Sequence, residues 1–397
     1  VDNGAVFFYL GVEDEFFEAT PSTTLPGVFG YDHSGFAVSV CDFNGDGFED
    51  IASSASYGED RDLDNYPSNQ GAVYIYLGGE DGFALEPDDI VYGMVLQSDG
   101  TYAGQTNLRF PEQLATGDVD GDGLCDLVGS TYRWAAAPGS SNDGYIAVYR
   151  GQAPSVDGPG GLATLPSRLI GAIDPTNQKS QAGRRLSVGD VNGDDLADIA
   201  FGQYQYNAPE VSGTNHGVLR LFLGGPLGDS PPTEFEPASS ADRSWYGLKS
   251  GDGFGWFAGI SDINGVPPLD LIAGSTSGEA LEGPGNTGHV VAYFGIQGDL
   301  PSQTPDMFVS GEVGGDIFGL TATGLGDVTG DGLGDLLIMA GRNDDLGIDV
   351  GRPYLFSGAA DAALIKLDMP GEPAGSEIGR DVSLIEDLNG DGFPEAL

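Results

Sequence analysis

The feature that most constrains this chain is an acidic nine-residue motif that occurs six times. The copies begin at residues 42, 118, 190, 262, 327 and 387, so neighbouring copies start 60 to 76 residues apart. This period is too long for a solenoid repeat and fits the blade of a β-propeller better. In chain order the copies read DFNGDGFED, DVDGDGLCD, DVNGDDLAD, DINGVPPLD, DVTGDGLGD and DLNGDGFPE.

A glycine-bounded apolar strand recurs in step with the motif. In the copy at 71–79, Val73 and Ile75 alternate with Tyr74 and Tyr76, so apolar side chains point to both faces. That pattern predicts a sheet that is covered on both sides. The copies are GAVFFYLG (4–11), GAVYIYLGG (71–79), GYIAVYRG (144–151), GVLRLFLGG (217–225), GHVVAYFG (288–295) and GRPYLFSG (351–358).

Each repeat predicts a four-stranded antiparallel meander. In the first full unit we expect strands at 35–41, 50–56, 72–77 and 89–96, with the acidic loop between the first two. The chain begins in a third strand and stops in a second, so residues 1–30 and 376–397 are expected to pair and close the ring. The predicted fold class is therefore all-β: one propeller domain over 1–397 with six blades, or seven if the natural chain continues. The full blades are expected at about 31–100, 101–172, 173–249, 250–310 and 311–375.

The acidic motif has the ligand pattern of a calcium loop. Oxygen-bearing side chains stand at positions 1, 3, 5 and 9, and the carbonyl of position 7 can add another oxygen; Ca²⁺ takes six to eight such ligands. An EF-hand is excluded because position 12 is Ser53, Gly129, Phe201 or Ile338 instead of an acid. The alternative is an Asx-Gly hairpin turn without metal, but the recurrence favours about five calcium ions. The expected ligands are Asp42, Asn44, Asp46, Phe48 and Asp50; Asp118, Asp120, Asp122, Leu124 and Asp126; Asp190, Asn192, Asp194, Leu196 and Asp198; Asp327, Thr329, Asp331, Leu333 and Asp335; and Asp387, Asn389, Asp391, Phe393 and Glu395.

The fourth copy of the motif departs from this pattern. Val266 stands at position 5 and Pro268 at position 7, so Asp262, Asn264 and Asp270 are the only side-chain ligands left. We expect this loop to bind calcium weakly or not at all.

The segments ATGDVDGDGLCDLVGS and SVGDVNGDDLADIAFG, together with the glycine-bounded strands, resemble the FG-GAP repeats of the integrin α-subunit β-propeller and of related bacterial propellers. The resemblance covers essentially the whole chain. It implies calcium bound by the side chains of positions 1, 3, 5 and 9 and the carbonyl of position 7. Integrin α propellers have seven blades whereas this sequence has six motifs, and it carries neither an inserted adhesion domain nor a helical leg region. Heterodimer signalling is therefore not implied.

The charge of the chain limits its partners. The net charge is −46, with 15 basic against 61 acidic residues, which argues against nucleic acid or an anionic membrane. Five calcium ions would leave about −36, and this indicates a solvated acidic surface in salty surroundings. Loops of this kind suit millimolar calcium. We therefore expect an extracellular or cell-surface protein of a marine or salt-tolerant bacterium. We expect a monomeric domain without membrane insertion, either on its own or as part of a larger chain.

The two cysteines, Cys41 and Cys125, are too few for a disulfide framework. Two separate cysteines buried in strands are the favoured interpretation, and a disulfide between them is the alternative.

The long loops between second and third strands, together with the loops between fourth and first strands, are expected to emerge opposite the acidic loops and to form the ligand face. Their aromatic side chains predict a face for a protein or glycan ligand, with packing over their own blades as the alternative. The three histidines, His33, His216 and His289, are dispersed, so we identify no catalytic residue and expect no enzyme. We predict an adhesion or ligand-recognition module; a lectin-like propeller and a non-catalytic domain of a larger secreted enzyme are the alternatives. The aromatic residues are Tyr57, Tyr66, Tyr132, Trp134, Tyr204 and Tyr206.

Overall fold

The computed structural model describes most of the chain. The described residues are 4–9, 20–28, 30–58, 68–80, 82–136, 140–155, 158–174, 176, 179–209, 211–228, 230–278, 286–357, 364–367, 373–376, 378–379, 384–385 and 395–396.

The fold is all-β, as the sequence predicts. Within the described ranges the one helical element is a short 3₁₀ turn, Ala238–Ser240. The chain divides into two compact units. Unit 1 comprises Val1–Val188 and Leu223–Ala241, and unit 2 comprises Gly189–Phe222 and Asp242–Leu397. The number of blades and the closure of the ring stay predictions.

Unit 1 contains two antiparallel meanders, which we call sheet 1 and sheet 2. Short strand pairs accompany them: Ala5–Phe8 with Thr23–Pro26, Val95–Leu96 with Tyr102–Ala103, and Gly151–Gln152 with Gly161–Leu162. Sheet 1 has the order Ser34–Cys41, Asp50–Ala55, Ala72–Tyr76, Asp89–Tyr92. Sheet 2 has the order Gln113–Gly117, Asp126–Thr131, Tyr145–Tyr149, Arg168–Gly171. At the edge of sheet 2, Glu236–Pro237 pairs in parallel with Arg168–Gly171.

Unit 2 repeats the same plan. Strand Leu186–Gly189 lies in the chain at the boundary between the units, and strands Asp198–Gly202, Val218–Phe222 and Arg243–Tyr246 of sheet 3 follow it. A last hairpin pairs Leu384–Ile385 with Glu395–Ala396. Sheet 4 has the order Phe257–Ser261, Asp270–Ser275, His289–Tyr293, Met307–Ser310; sheet 5 has the order Phe318–Gly326, Asp335–Ala340, Arg352–Ser357, Ile365–Lys366.

The third strand of sheet 1 is buried on both faces, which confirms the prediction from its alternating pattern. Every residue of Ala72–Tyr76 is buried. Val73 and Ile75 belong to one apolar cluster, while Tyr74 and Tyr76 belong to another. Two separate apolar cores therefore meet at this sheet, one on each side, and the central strand stabilises both.

The fourth strand of sheet 1 is shorter than predicted. It ends at Tyr92, whereas the sequence predicted a strand over 89–96. The reason is the close approach of the next segment: a Cβ placed on Gly93 would lie 2.8 Å from the Cβ of Phe110. Val95–Leu96 turns away and pairs with Tyr102–Ala103 instead.

Cys41 and Cys125 form a disulfide, which corrects the favoured interpretation of two separate cysteines. Their Cα atoms lie 6.1 Å apart, and 84 residues separate them in sequence. The Cys125 amide also donates a hydrogen bond to the Asp42 carbonyl (3.3 Å), so the first two acidic loops lie side by side. A local sequence pattern cannot reveal such a long-range contact.

Candidate metal centre

The acidic loops connect the first two strands of each meander. In sheet 1 the loop leaves Ser34–Cys41 and returns in Asp50–Ala55, so position 9 opens the second strand. The hydrogen-bonded ladder on both sides fixes where the loop begins and ends. The same position opens strands Asp126–Thr131, Asp198–Gly202, Asp270–Ser275 and Asp335–Ala340.

The loop backbone orients the carboxylates of positions 1 and 5. Asp42 accepts hydrogen bonds from the amides of Gly45 (2.7 Å) and Gly47 (2.9 Å). Asp46 accepts one from the amide of Phe48 (3.0 Å). The next two loops along the chain repeat all three contacts. Because these bonds are local, the nine-residue sequence itself gathers the oxygen atoms of the turn.

The third loop replaces the glycine of position 6 with Asp195. This residue has a φ of 67°, in the left-handed region that Asp and Asn tolerate better than most residues with a side chain. Its amide still donates to Asp190 at 2.9 Å. The substitution therefore leaves the shape of the turn intact.

The carboxylates of position 9 are buried at the start of the second strands. Asp126 accepts hydrogen bonds from the amides of Val119 (2.9 Å) and of Gly151 (3.0 Å), which lies two residues beyond the third strand of sheet 2. A Cβ on Gly151 would lie 2.5 Å from a backbone carbonyl oxygen, so the recurrent glycine permits this approach. Burial, and secondarily the charges of Asp120 and Asp122, raise the pKa of Asp126 to about 7. The residues with 0% exposure at this position are Asp50, Asp126, Asp198, Asp270 and Asp335.

Three carboxylates of the second loop converge at a metal-ligand spacing. Asp118, Asp120 and Asp126 each offer one oxygen within 4.8 Å of the others. Like charges this close raise the free energy of the loop unless a cation lies among them. Carboxylate oxygens are hard ligands of the kind that Ca²⁺ prefers. The donor set therefore fits a calcium ion.

A cation of the chain itself lies against this loop. Arg150 donates a hydrogen bond from its guanidinium to Asp122 (2.8 Å). Its Nε also forms an ion pair with Asp120, 2.6 Å from a carboxylate oxygen, but the angles there are not those of a hydrogen bond. The guanidinium compensates part of the charge that a metal would compensate. Arg150 is not among the residues predicted from the sequence, although its strand segment ends in YRG where two other copies end in LGG.

The fourth loop is organised differently. Asn264 donates from its side-chain amide to Asp270 (3.0 Å) and accepts from the amide of Val266 (2.7 Å). In the first and third loops the equivalent Asn donates to the carboxylate of position 5. Because the fourth loop lacks that carboxylate, the side-chain amide of Asn264 donates to Asp270 at position 9 instead. Burial raises the pKa of Asp270 to about 6.

The last two predicted ligand sets differ in what the structure describes. In the fifth loop Thr329 donates to Asp335 (3.2 Å), and Asp331 accepts from the amide of Leu333 (2.9 Å). The side chains of the sixth loop lie outside the described residues, so its ligands stay a prediction. These are Asp387, Asn389, Asp391, Phe393 and Glu395.

The aromatic residues of the predicted ligand face lie in different surroundings. Tyr57 and Tyr132 are partly exposed and lie beside arginine side chains. Tyr204 contacts Trp256 edge to face, with ring centroids 4.7 Å apart.

Two further aromatic residues of that set are in the interior. Trp134 is 4% exposed and stacks on Phe235 at 4.4 Å, and Tyr206 is 7% exposed. Both rings are therefore buried, so they are not exposed for a ligand as the predicted ligand face requires. Tyr66 lies outside the described residues.

The first repeat matches a known family. The sequence profile of the FG-GAP repeat matches residues 34–76, which contain the first acidic loop and the first three strands of sheet 1. The match supports the resemblance that the loop and strand motifs indicate along the rest of the chain.

The chain is similar to integrin α chains and to a phospholipase. Integrin alpha-5 of Xenopus laevis is 29% identical over 174 residues, which cover 43% of this chain and 14% of that protein. Integrin alpha-IIb of Mus musculus is 29% identical over 174 residues, covering 44% and 14%. Phosphatidylinositol-glycan-specific phospholipase D of Dictyostelium discoideum is 28% identical over 257 residues, covering 60% and 24%. The chain thus spans less than a quarter of these relatives.

Among solved structures, the crystal structure of rhamnogalacturonan lyase YesW aligns with 90% of this chain and 73% of that one, at 13% identity and a TM-score of 0.37. Within the described part of this chain, no helix is long and apolar enough to cross a membrane.

Proposed function

We propose that the chain is a calcium-stabilised recognition module of the integrin-like FG-GAP type. The observation that carries this proposal is the convergence of Asp118, Asp120 and Asp126 within 4.8 Å, in a loop whose hydrogen bonds recur in the neighbouring repeats. The similarity to integrin α chains supports it.

Calcium in these loops would act as a structural cation. Positions 1, 3, 5 and 9, with the carbonyl of position 7, would hold about five ions. A bound ion would offset the repulsion among the carboxylates and tie the ends of two strands together. The chain's own contribution is to place the carboxylates beforehand through the backbone hydrogen bonds of each turn.

The setting we propose is extracellular or at the cell surface. The Cys41–Cys125 disulfide favours an oxidising compartment, and open loops with few enclosing ligands suit millimolar calcium. The ligand would be a protein or a glycan, bound on the side opposite the acidic loops. A non-catalytic domain of a larger secreted enzyme is the second candidate, because 60% of the chain aligns with a phospholipase D.

Counting bound calcium in two matched variants tests the proposal. We expect about five ions per wild-type chain, and one fewer in Asp190→Asn because that change removes a position 1 carboxylate from a complete loop. Asp262→Asn makes the same change in the loop that lacks the position 5 acid, so it should bind as many ions as the wild type. Equilibrium dialysis with metal analysis measures both. Binding of no calcium by the wild type, or equal losses in the two variants, would contradict the proposal.

A further inference from the structure

Three arginine side chains gather at the end of the sheets opposite the acidic loops, in a chain with 15 basic and 61 acidic residues. We call Arg109, Arg133 and Arg184, together with Tyr57 and Tyr132, the arginine cluster. Tyr57, Tyr132 and Arg133 follow second strands, whereas Arg109 and Arg184 precede first strands. All five residues belong to unit 1.

Tyrosine rings hold the guanidinium groups of the arginine cluster. The guanidinium carbon of Arg109 lies 4.2 Å from the ring centre of Tyr57, and those of Arg133 and Arg184 lie 4.9 Å and 5.3 Å from that of Tyr132. Arg133 also donates to the Tyr132 hydroxyl at 2.8 Å. A guanidinium stacked on a ring keeps its N–H donors in its own plane, where they can meet an oxygen ligand.

The arginine cluster already holds one carboxylate. Glu112 is 7% exposed, and Arg133 donates to it from Nε at 2.8 Å. Burial raises the pKa of Glu112, and the charges of Arg133, Arg109 and Arg184 all oppose that rise. The positive field of all three arginines thus reaches a single carboxylate position. This contact identifies the ligand chemistry that the cluster accepts.

The guanidinium of Arg109 has hydrogen-bond donors that lack acceptors among the described residues. Its guanidinium makes no hydrogen bond or ion pair with any residue that the structure describes, and its Nε is buried. A buried N–H without an acceptor is energetically unfavourable, because it has lost its hydrogen bond to water and gained none in the fold. An incoming carboxylate would supply the missing acceptor and a charge-assisted bond.

We propose that the arginine cluster binds a carboxylate side chain of an acidic peptide segment in the partner protein. The inference rests on the proposed recognition function and names the chemistry of its ligand. A sugar ring fits less well because His33 stacks on Tyr57 (4.5 Å, 28°) and Arg109 lies over the same ring, so the aromatic surface is already in use. The guanidinium edges are what the cluster offers to a ligand.

The overall negative charge does not prevent such binding. At 0.15 M ionic strength the Debye length is about 8 Å, so distant carboxylates are screened while the adjacent guanidiniums are not. The test therefore belongs at about this salt concentration, in excess calcium.

The experiment measures binding of a fluorescent triglutamate peptide, a triglutamine peptide and trigalacturonate. We expect triglutamate to bind the wild type at least about tenfold more tightly than either other probe, and Arg109→Gln to weaken that binding about tenfold. Arg168→Gln is the matched control, because Arg168 pairs with Glu236 at 2.9 Å outside the cluster. It should leave the affinity unchanged.

The other outcomes overturn the inference. Equal losses in Arg109→Gln and Arg168→Gln would mean a non-specific charge effect, and tighter binding of trigalacturonate would mean a glycan site. A wild type that binds calcium but not triglutamate would refute the inference and leave the calcium proposal standing. A wild type that binds no calcium would refute the calcium proposal, whatever the result with triglutamate. Should Arg109→Gln lower the melting temperature, competition by free glutarate on the wild type, with glutaramide as control, decides the same point.

Discussion

At the scale of single residues, Arg150 is expected to weaken the calcium affinity proposed for the second loop. Its guanidinium lies against Asp120 and Asp122, so a calcium ion would have to share these carboxylates with it. Part-exposed ion pairs contribute about 0.2–1 kcal/mol. Arg150→Gln should therefore tighten calcium binding at this loop about twofold to fivefold, as measured by calorimetric titration.

A second substitution makes that measurement specific to the site. In the background of Asp118→Asn, which removes the position 1 carboxylate of the same loop, Arg150→Gln should have no effect. An unchanged affinity in the single variant would show that the guanidinium and the ion do not compete.

His289 should make stability depend on pH. Its ring lies between Phe254 and Phe308 and lines a cavity of about 600 Å³, with Nδ1 buried and lacking a partner among the described residues. Burial lowers the pKa of His289 to about 4, whereas an unfolded histidine titrates near 6.5. Between these values the unfolded chain binds more protons, so the free energy of unfolding falls as pH falls from about 6.5 to 4.

The size of this effect is up to about 3 kcal/mol, which corresponds to the difference between the two pKa values. Denaturant unfolding of the wild type and of His289→Gln at several pH values isolates the histidine contribution, because the charged residues of the cavity lining, Asp252 and Lys249, are common to both proteins. The free energy of unfolding of the wild type, relative to that of His289→Gln, should fall as the pH falls from about 6.5 towards 4. A difference that stays constant with pH would contradict the assignment.

Some of these residues can be identified from the sequence and others cannot. The carboxylates of each acidic loop follow from nine consecutive residues, since Asp42 and Asp46 are held by amides of their own turn. Arg109, Arg133 and Arg184 come together from three separate segments, and no spacing rule links them.

At the scale of elements, the Cys41–Cys125 disulfide joins the first repeat to the second. It links the end of strand Ser34–Cys41 to the residue before strand Asp126–Thr131, across 84 residues. Closing a loop of this size restricts the unfolded chain and stabilises the fold by about 2–5 kcal/mol. The double variant Cys41→Ala, Cys125→Ala should lose that much stability in denaturant unfolding with excess calcium, and an unchanged midpoint would contradict this role.

The elements also show where a sequence pattern stops being informative. The third strands are predictable because alternating apolar residues between glycines report burial on both faces. The fourth strand of sheet 1 stops early because Phe110, from the next repeat, packs against Gly93. Contacts between repeats, such as this one and the disulfide, depend on the folded arrangement and leave no local pattern.

At the scale of the whole molecule, the acidic composition and the proposed calcium sites are linked. The chain carries a net charge of −46, and the loops concentrate part of it at buried or half-buried positions. Calcium would neutralise those positions, while salt screens only the exposed surface. Sodium chloride should therefore stabilise the protein modestly and should not replace calcium.

The measurement that tests this account most directly is the thermal melt at constant high salt, once with excess calcium and once with a chelator, alongside the number of bound ions. A calcium ion that binds only to the folded state increases the free energy of unfolding by about 2.7 kcal/mol per site when free calcium is a hundredfold above the Kd of that site. We predict a large fall in melting temperature on chelation and about five calcium ions per chain before it. An unchanged melting temperature with no bound metal would mean that the acidic loops are hairpin turns only, and the calcium account would be wrong.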